Sequence, residues 1–192
     1  MKSLSRVCLA LCGLGLLLSS SASAYVLTGE DWTYQPNPMG EDFRVCPTGM
    51  PVDAVQRTKD GALEWNYSKF NFTFGIDECL SGGVYPNGNG VNQVDIGGGL
   101  GSGVLAVATW WFNSFGDILE CDIRFNSAFN WYTGTDAPAL NQYDWWSVAA
   151  HEMGHCLGLG HESDITDPKP VMFPSLASRE VTRHPTPDDK AG

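Results

Sequence analysis

Apolar and polar positions alternate along several short stretches of this chain and recur at helical spacing in two others. Phe70, Phe72 and Phe74 alternate with Asn71 and Thr73, the pattern of a half-buried strand. Residues 118–125 alternate over a longer span, which predicts Leu119, Cys121, Ile123 and Phe125 on one face and Glu120, Asp122 and Arg124 on the other. Residues 104–112 are apolar and β-prone throughout. Residues 43–46 and 94–96 are shorter strand candidates, ended by Pro47 and by Gly97-Gly98-Gly99. Over residues 51–66, Val52, Val55, Ala62 and Leu63 recur near helical spacing, with Pro51 suited to a first turn. Asp144 can cap a second helix that runs from Trp145 to about Leu157. Residues 25–35 are mixed and partly β-like, residues 79–92 form a Gly-rich loop, and beyond the second helix the chain is Pro-rich and irregular. Strand, helix, several strands and a helix predict an α+β domain with a mixed, twisted sheet and an irregular C-terminal subdomain.

The chain has 192 residues, 43% hydrophobic and 17% charged, enough for one folded domain with its own core. It carries 22 acidic against 11 basic residues, a net charge of -11, which argues against nucleic acid and anionic membrane as partners. Residues 1–24 have the layout of a signal peptide: Lys2 and Arg6, an apolar run over 7–18, then Ala22-Ser23-Ala24 as a cleavage site. That run is too short to span a bilayer comfortably and no later segment reaches the length needed, so no membrane span is expected. Residues 25–192 are then the mature domain, secreted or periplasmic and expected as a monomer. Cys8 and Cys12 leave with the signal; Cys46, Cys79, Cys121 and Cys156 remain, an even set that favours two disulfides in an exported protein. Three pairings are open at this point. A cysteine-built metal site is the rival reading, and the lack of any CxxC pair weighs against it.

Residues 151–161, His-Glu-Met-Gly-His-Cys-Leu-Gly-Leu-Gly-His, spell HExxHxxGxxH. On a helix, His151 and His155 lie four apart and project from one face, where both imidazoles reach a single ion. Gly158 can supply the left-handed residue that stops the helix and turns the chain back, so that His161 arrives as a third ligand. Three neutral imidazoles leave a fourth position open for water, the mark of a catalytic site. Glu152 is close enough to hydrogen-bond that water without ligating, and suits a general base that later acts as general acid. One zinc ion is expected, although cobalt or nickel fit the same donors in vitro. The bland reading is a helix with two surface histidines and an unrelated third. It leaves unexplained why three of the four histidines fall in one stretch with a glycine where the chain must turn.

With this motif the chain resembles the metzincin metallopeptidases. Residues 171–174, Val-Met-Phe-Pro, are similar to their Met-turn, which implies that Met172 lies under the metal site. Within that group the resemblance is to the matrixins. Residues 104–108 resemble their upper-rim edge strand, residues 122–126 with Trp131 the strand and loop that follow, and Pro187-Asp188-Asp189 the start of the last helix. The resemblance spans residues 43–192. It implies an unpaired strand beside the zinc, where Leu105, Ala106, Val107 and Ala108 hold a protein or peptide substrate in extended form by main-chain hydrogen bonds. It also implies a pocket bounded by residues 173–176, with Phe173 and Pro174, that takes an apolar side chain. The bland reading of residues 104–108 is an aggregation-prone apolar strand.

Several positions depart from the matrixin pattern. Matrixins carry a structural zinc held by histidines before the catalytic helix. Here the fourth histidine is His184, and Arg124 stands where one ligand is expected, so that second zinc is not expected. Asn126 and Phe129 replace acidic residues that often bind calcium, which counts against calcium there. Glu162, after the third histidine, is more typical of astacins, yet the Met-turn lacks the astacin tyrosine. No propeptide with an inhibitory cysteine is visible; Cys46, in Arg44-Val45-Cys46-Pro47, has the nearest surroundings. A disulfide of Cys46 with Cys79 is preferred, because both lie near neighbouring strands of the N-terminal half. Cys121 with Cys156 follows by elimination, and it would tie an apolar strand face to the helix above it. Only Lys190, Ala191 and Gly192 follow Asp188 and Asp189, so the last helix is expected to be cut short. The functional expectation is a zinc-dependent endopeptidase. Its rivals are a secreted binding module that keeps the fold without turnover, against which Glu152 counts, and hydrolysis of another amide such as a cell-wall cross-link.

Overall fold

The computed structural model describes residues 4–11, 26–32, 39–66, 70–80, 85–86, 88–164 and 168–191. In chain order the elements are β1 (Leu4–Leu11), β2 (Met39–Val45), α1 (Ala54–Leu63), β3 (Phe70–Phe74), β4 (Asn92–Gly97), β5 (Val104–Phe112), β6 (Ile118–Asn126), β7 (Trp131–Tyr132), β8 (Tyr143–Asp144), α2 (Trp145–Cys156) and a 3₁₀ turn (Asp189–Ala191). The first six strands form one sheet in the order β1-β5-β6-β4-β2-β3, and β7 pairs with β8. Strands β3, β2, β4 and β6 run parallel; β5 is antiparallel to β6, and β1 to β5. Parallel neighbours need a crossover, and α1 supplies it between β2 and β3. The expected α+β domain with a mixed sheet is the architecture found.

Both helices cover one face of the sheet. Phe70 and Phe72 point into that core, where Phe72 meets Phe43 edge to face at 5.4 Å. Phe125 of β6 stacks on Trp145 of α2 with ring centroids 3.8 Å apart. Helix α1 begins at Ala54, later than Pro51, and its buried face is Ala54, Thr58, Gly61 and Ala62. Val52 and Leu63, two of the positions read as an apolar stripe, are exposed. The cause is the closeness of α2: a Cβ on Gly61 would lie 2.7 Å from the Ala150 nitrogen and 2.8 Å from the Ala149 Cβ. Only small side chains fit that contact, so size rather than hydrophobicity marks the buried face. Two indole N–H groups lock the pair, Trp65 to Ala150 O at 2.8 Å and Trp145 to Thr58 Oγ1 at 2.9 Å.

The alternation along β6 is only half as expected. Cys121, Ile123 and Phe125 face the helices, but Leu119 is half exposed while Glu120 and Asp122 are buried. β6 lies between β5 and β4, and the chain from Tyr85 onward covers its other face. There Glu120 accepts the backbone N–H groups of Asn89 and Gly90, and Asp122 accepts that of Gln93. Arg124 pairs with Asp95 at 2.5 Å and lies 5.0 Å from the Tyr85 ring centroid. Buried Glu120 and Asp122 on this face are therefore partnered, as burial requires, whereas Gln93 Oε1 is not.

The disulfides are Cys46–Cys79 and Cys121–Cys156. The second ties the central strand β6 to the end of α2. Among the described residues no helix is long and apolar enough to cross a membrane. Most of the expected signal segment, with the cleavage site Ala22-Ser23-Ala24, lies outside the described residues. Leu4–Leu11 is described, and it corrects one expectation: β5 is not an unpaired edge, because Ala10, Leu9 and Cys8 stand opposite Ala106, Val107 and Ala108. A bare strand edge presents a row of unmet N–H and C=O groups, and an extended apolar segment of the same chain satisfies them.

Candidate metal centre

Helix α2 is built to present its last two turns. Asp144 caps it by accepting the Ser147 N–H at 3.0 Å, and Arg183 holds that carboxylate from the other side at 2.7 and 2.9 Å. At the far end Gly158 has φ +92°, the left-handed conformation that its lack of a Cβ allows. Its N–H bonds His155 O at 2.9 Å, and the Leu159 N–H bonds Gly154 O at 3.1 Å. This is the paired capping pattern that closes a helix and reverses the chain. The turn brings His161 back towards His151 and His155, as the spacing predicts.

Two of the three rings are fixed through Nδ1. The His151 Nδ1–H donates to Val171 O at 2.7 Å, and the His155 Nδ1–H donates to Leu159 O at 2.7 Å. That tautomer leaves each Nε2 as a bare acceptor. The Nε2 atoms of His151, His155 and His161 then lie 3.0, 3.2 and 3.3 Å from one another. Donor nitrogens about 2.1 Å from one tetrahedral zinc would lie about 3.4 Å apart, so the triad has the geometry of three ligands around one ion. Converging lone pairs would otherwise repel. The three residues thus fit one zinc ion.

Burial keeps the rings neutral. It pushes His151 down to about 3, aided by His161 and Lys169, and pushes His155 well below the ordinary value. His161 is lowered too, again by burial. Neutral imidazole is the form that ligates. Glu152 is fully buried, and neither carboxylate oxygen has a hydrogen-bond partner among the described residues. Desolvation raises its pKa well above the carboxylate range, only partly offset by the nearby backbone amide of Ala108.

The other expected site residues fall around this centre. Met172 is buried, and its sulfur occupies the space beside Gly154 that a side chain there would need. Leu105, Phe173 and Pro174 line a cleft together with His151, Val148 and Ser147. Ala106, Val107 and Ala108 are on β5, with their outer edge taken by β1. His184 is elsewhere, exposed and 2.9 Å from Glu64. Sequence reading missed four supports. Trp110 lies parallel to His155 at 6.4 Å. Asp189 accepts the N–H groups of Val171 and Met172, each at 3.0 Å. Residues 26–30 run beside the reversing turn, with the Gly160 N–H on Val26 O at 2.6 Å. Lys169 lines the cleft. Only Asp189, in its Pro-Asp-Asp setting, carried a signal; the rest depend on backbone atoms or long-range packing.

The matrixin family model matches residues 93–192, more than half of the chain. Neutrophil collagenase from Homo sapiens is 41% identical over 68 residues, 35% of this chain and 13% of that protein. Metalloendoproteinase 1 from Glycine max is 41% identical over 58 residues, 30% of this chain and 18% of that protein. Matrix metalloproteinase-20 from Homo sapiens is 42% identical over 60 residues, 31% of this chain and 11% of that protein. The matched stretch thus spans less than a fifth of each of these relatives.

Proposed function

Given that the chain belongs to the matrixin family of zinc metallopeptidases, we propose that it is an endopeptidase acting outside the cytoplasm on protein or peptide substrates. The observation that carries this reading is the convergence of three Nε2 atoms beside an unpartnered, buried glutamate. His151, His155 and His161 would hold one zinc. When bound, zinc supplies a Lewis acid and lowers the pKa of a water in the open position to about 7.

The chain's own residues do the rest. The Glu152 carboxylate accepts a proton from the attacking water and returns it to the departing amine nitrogen. Burial raises its proton affinity and the positive charge of a cation at the triad opposes that, a balance suited to a group that must both take and give a proton. Val171 O and Leu159 O hold the rings in the ligating tautomer. Met172 and Asp189 form the floor that keeps the reversed chain in place.

An extended substrate would lie antiparallel along β5, using the main-chain groups of Leu105, Ala106, Val107 and Ala108, and would place one side chain in the cleft beside Phe173 and Pro174. In the described chain Leu4–Leu11 takes that edge in the same antiparallel sense, which supports the strand-acceptor reading. Removal of residues 1–24 as a signal would vacate it, and the two disulfides fit an oxidising compartment. The test is digestion of unfolded casein by the protein freed of residues 1–24. Activity lost to a chelator and restored by zinc supports the reading; a zinc-loaded, folded protein that releases no peptide overturns it.

A further inference from the structure

The face of the sheet away from the helices carries a stack of side chains in which no residue of the triad takes part. Arg124 of β6 grips Asp95 of β4 through two bonds, Nε to Oδ1 at 2.8 Å and Nη2 to Oδ2 at 2.5 Å. The guanidinium also lies against Gly97, where a Cβ would come within 3.0 Å of its carbon. Its Cζ is 5.0 Å from the centroid of the Tyr85 ring, within cation–π range. The two charged side chains are only 14% and 9% exposed, so the pair is largely out of water and depends on this geometry. A planar, forked cation suits a carboxylate and an aromatic face at once; an ammonium does not.

Tyr85 passes this fixity on to β5. It packs with Val104 and Val107, and its hydroxyl hydrogen-bonds the Thr109 hydroxyl. Burial pushes the phenol's pKa up, so the group stays neutral. Tyr85 therefore supports β5 over residues 104–109, the stretch whose main-chain groups face substrate in the peptidase reading. The same stretch carries the Ala108 amide close to Glu152. With residues 1–24 removed, β6 is the one strand left beside β5 among the described residues. A strand paired on one side keeps its free edge in a fixed place only if a face of it is held as well.

We propose that Arg124 is a positioning residue for the substrate strand: clamped by Asp95, it seats Tyr85, and Tyr85 fixes β5 from Val104 to Thr109 where an extended substrate must pair with it. This rests on the peptidase reading and adds to it a residue that acts from the far side of the sheet. Arg124 meets no reacting atom. Its effect grows with the number of substrate residues that lie along β5.

The experiment uses two quenched fluorescent peptides that share the residues next to the scissile bond. One has about eight residues and can lie along the whole edge of β5; the other has about four. Their kcat/KM values are compared on the wild type, Arg124→Lys, Tyr85→Leu, Arg44→Met and the double variant Asp95→Asn with Arg124→Met, each with its zinc content and Tm measured. The double variant removes both charges and so leaves no lone buried one. The wild type should favour the long peptide. That long:short ratio should fall about fivefold in Arg124→Lys, Tyr85→Leu and the double variant, with zinc still at about one per chain. Arg44→Met breaks an ion pair with Glu78 elsewhere in the sheet and should keep the wild-type ratio. Ratios are insensitive to the fraction of protein folded, so a general loss of stability does not mimic this pattern. The role of Arg124 alone is overturned if the wild type cleaves both peptides equally well, or if its ratio survives in Arg124→Lys and the double variant within about twofold. A fall as large in Arg44→Met overturns it too. A zinc-loaded wild type that cleaves neither peptide overturns the peptidase reading and this assignment with it.

Discussion

The sulfur of Met172 occupies the space that a Cβ on Gly154 would need, and Trp65 Cζ2 lies 2.9 Å from that Cβ position. Gly154 sits between His151 and His155 in α2, so this contact sets how closely the turn carrying Met172 approaches that helix. Gly154→Ala should favour the helix by propensity yet destabilise the protein by about 1–3 kcal/mol through overpacking. Thermal unfolding of the two proteins decides the sign. A variant as stable as the wild type would mean that Met172 can move aside freely.

Asp189 is buried and accepts four donors: the backbone N–H groups of Val171, Met172 and Thr186, and the Thr186 hydroxyl. Asp189→Asn leaves a single acceptor oxygen and sets an NH2 group against N–H donors. The expected cost is about 2–3 kcal/mol, of the size found for hydrogen bonds to charged groups. Because Val171 O orients His151, zinc should also dissociate faster from the variant. Chelator-chase kinetics at a temperature where both proteins are folded separate the two effects; equal release rates contradict the linkage.

Acid should destabilise the metal-free fold through the triad. The folded-state pKa of each histidine lies below its ordinary value of 6.5, that of His151 at about 3. As pH falls below about 6.5 the unfolded chain takes up protons that the folded chain refuses, so stability is lost towards low pH. The slope is up to about 1.4 kcal/mol per pH unit for each histidine that remains unprotonated. Urea unfolding of chelator-treated protein between pH 7.5 and 5 should show that slope, and His151→Gln should make it shallower. Identical slopes would mean that the triad does not govern the acid limb.

The Cys121–Cys156 bridge closes a sequence separation of 35 residues and fixes α2, which carries His151 and His155, to β6. Replacing both cysteines by alanine should cost about 2–4 kcal/mol. The Cys46–Cys79 bridge lies at the other end of the sheet, joining the segments after β2 and β3. Its removal should cost stability without altering zinc affinity, whereas loss of Cys121–Cys156 should weaken both. Zinc titration of the two double variants checks this, and equal affinities would contradict it.

What was legible in the sequence was whatever local chemistry dictates. The 3.6-residue period puts His151 and His155 on one face, only glycine takes the conformation needed at 158, and Asp144 carries a cap acceptor into α2. The disulfide pairing followed from which strands had to be neighbours. Reading failed where a partner segment decides. The second face of β6 is buried only because the chain from Tyr85 onward folds over it, which brings Glu120 and Asp122 inside. The buried side of α1 is set by α2 pressing on Gly61, which no hydrophobic pattern announces. The edge of β5 is occupied by residues nearly a hundred positions away.

Zinc content and casein cleavage measured together for the wild type and Glu152→Ala, both freed of residues 1–24, test the role of the triad and Glu152. Both proteins should hold about one zinc per chain, with cleavage in the wild type and a loss of at least about a hundredfold in the variant. Folded protein that binds no zinc, or a variant that cleaves as fast as the wild type, would contradict it.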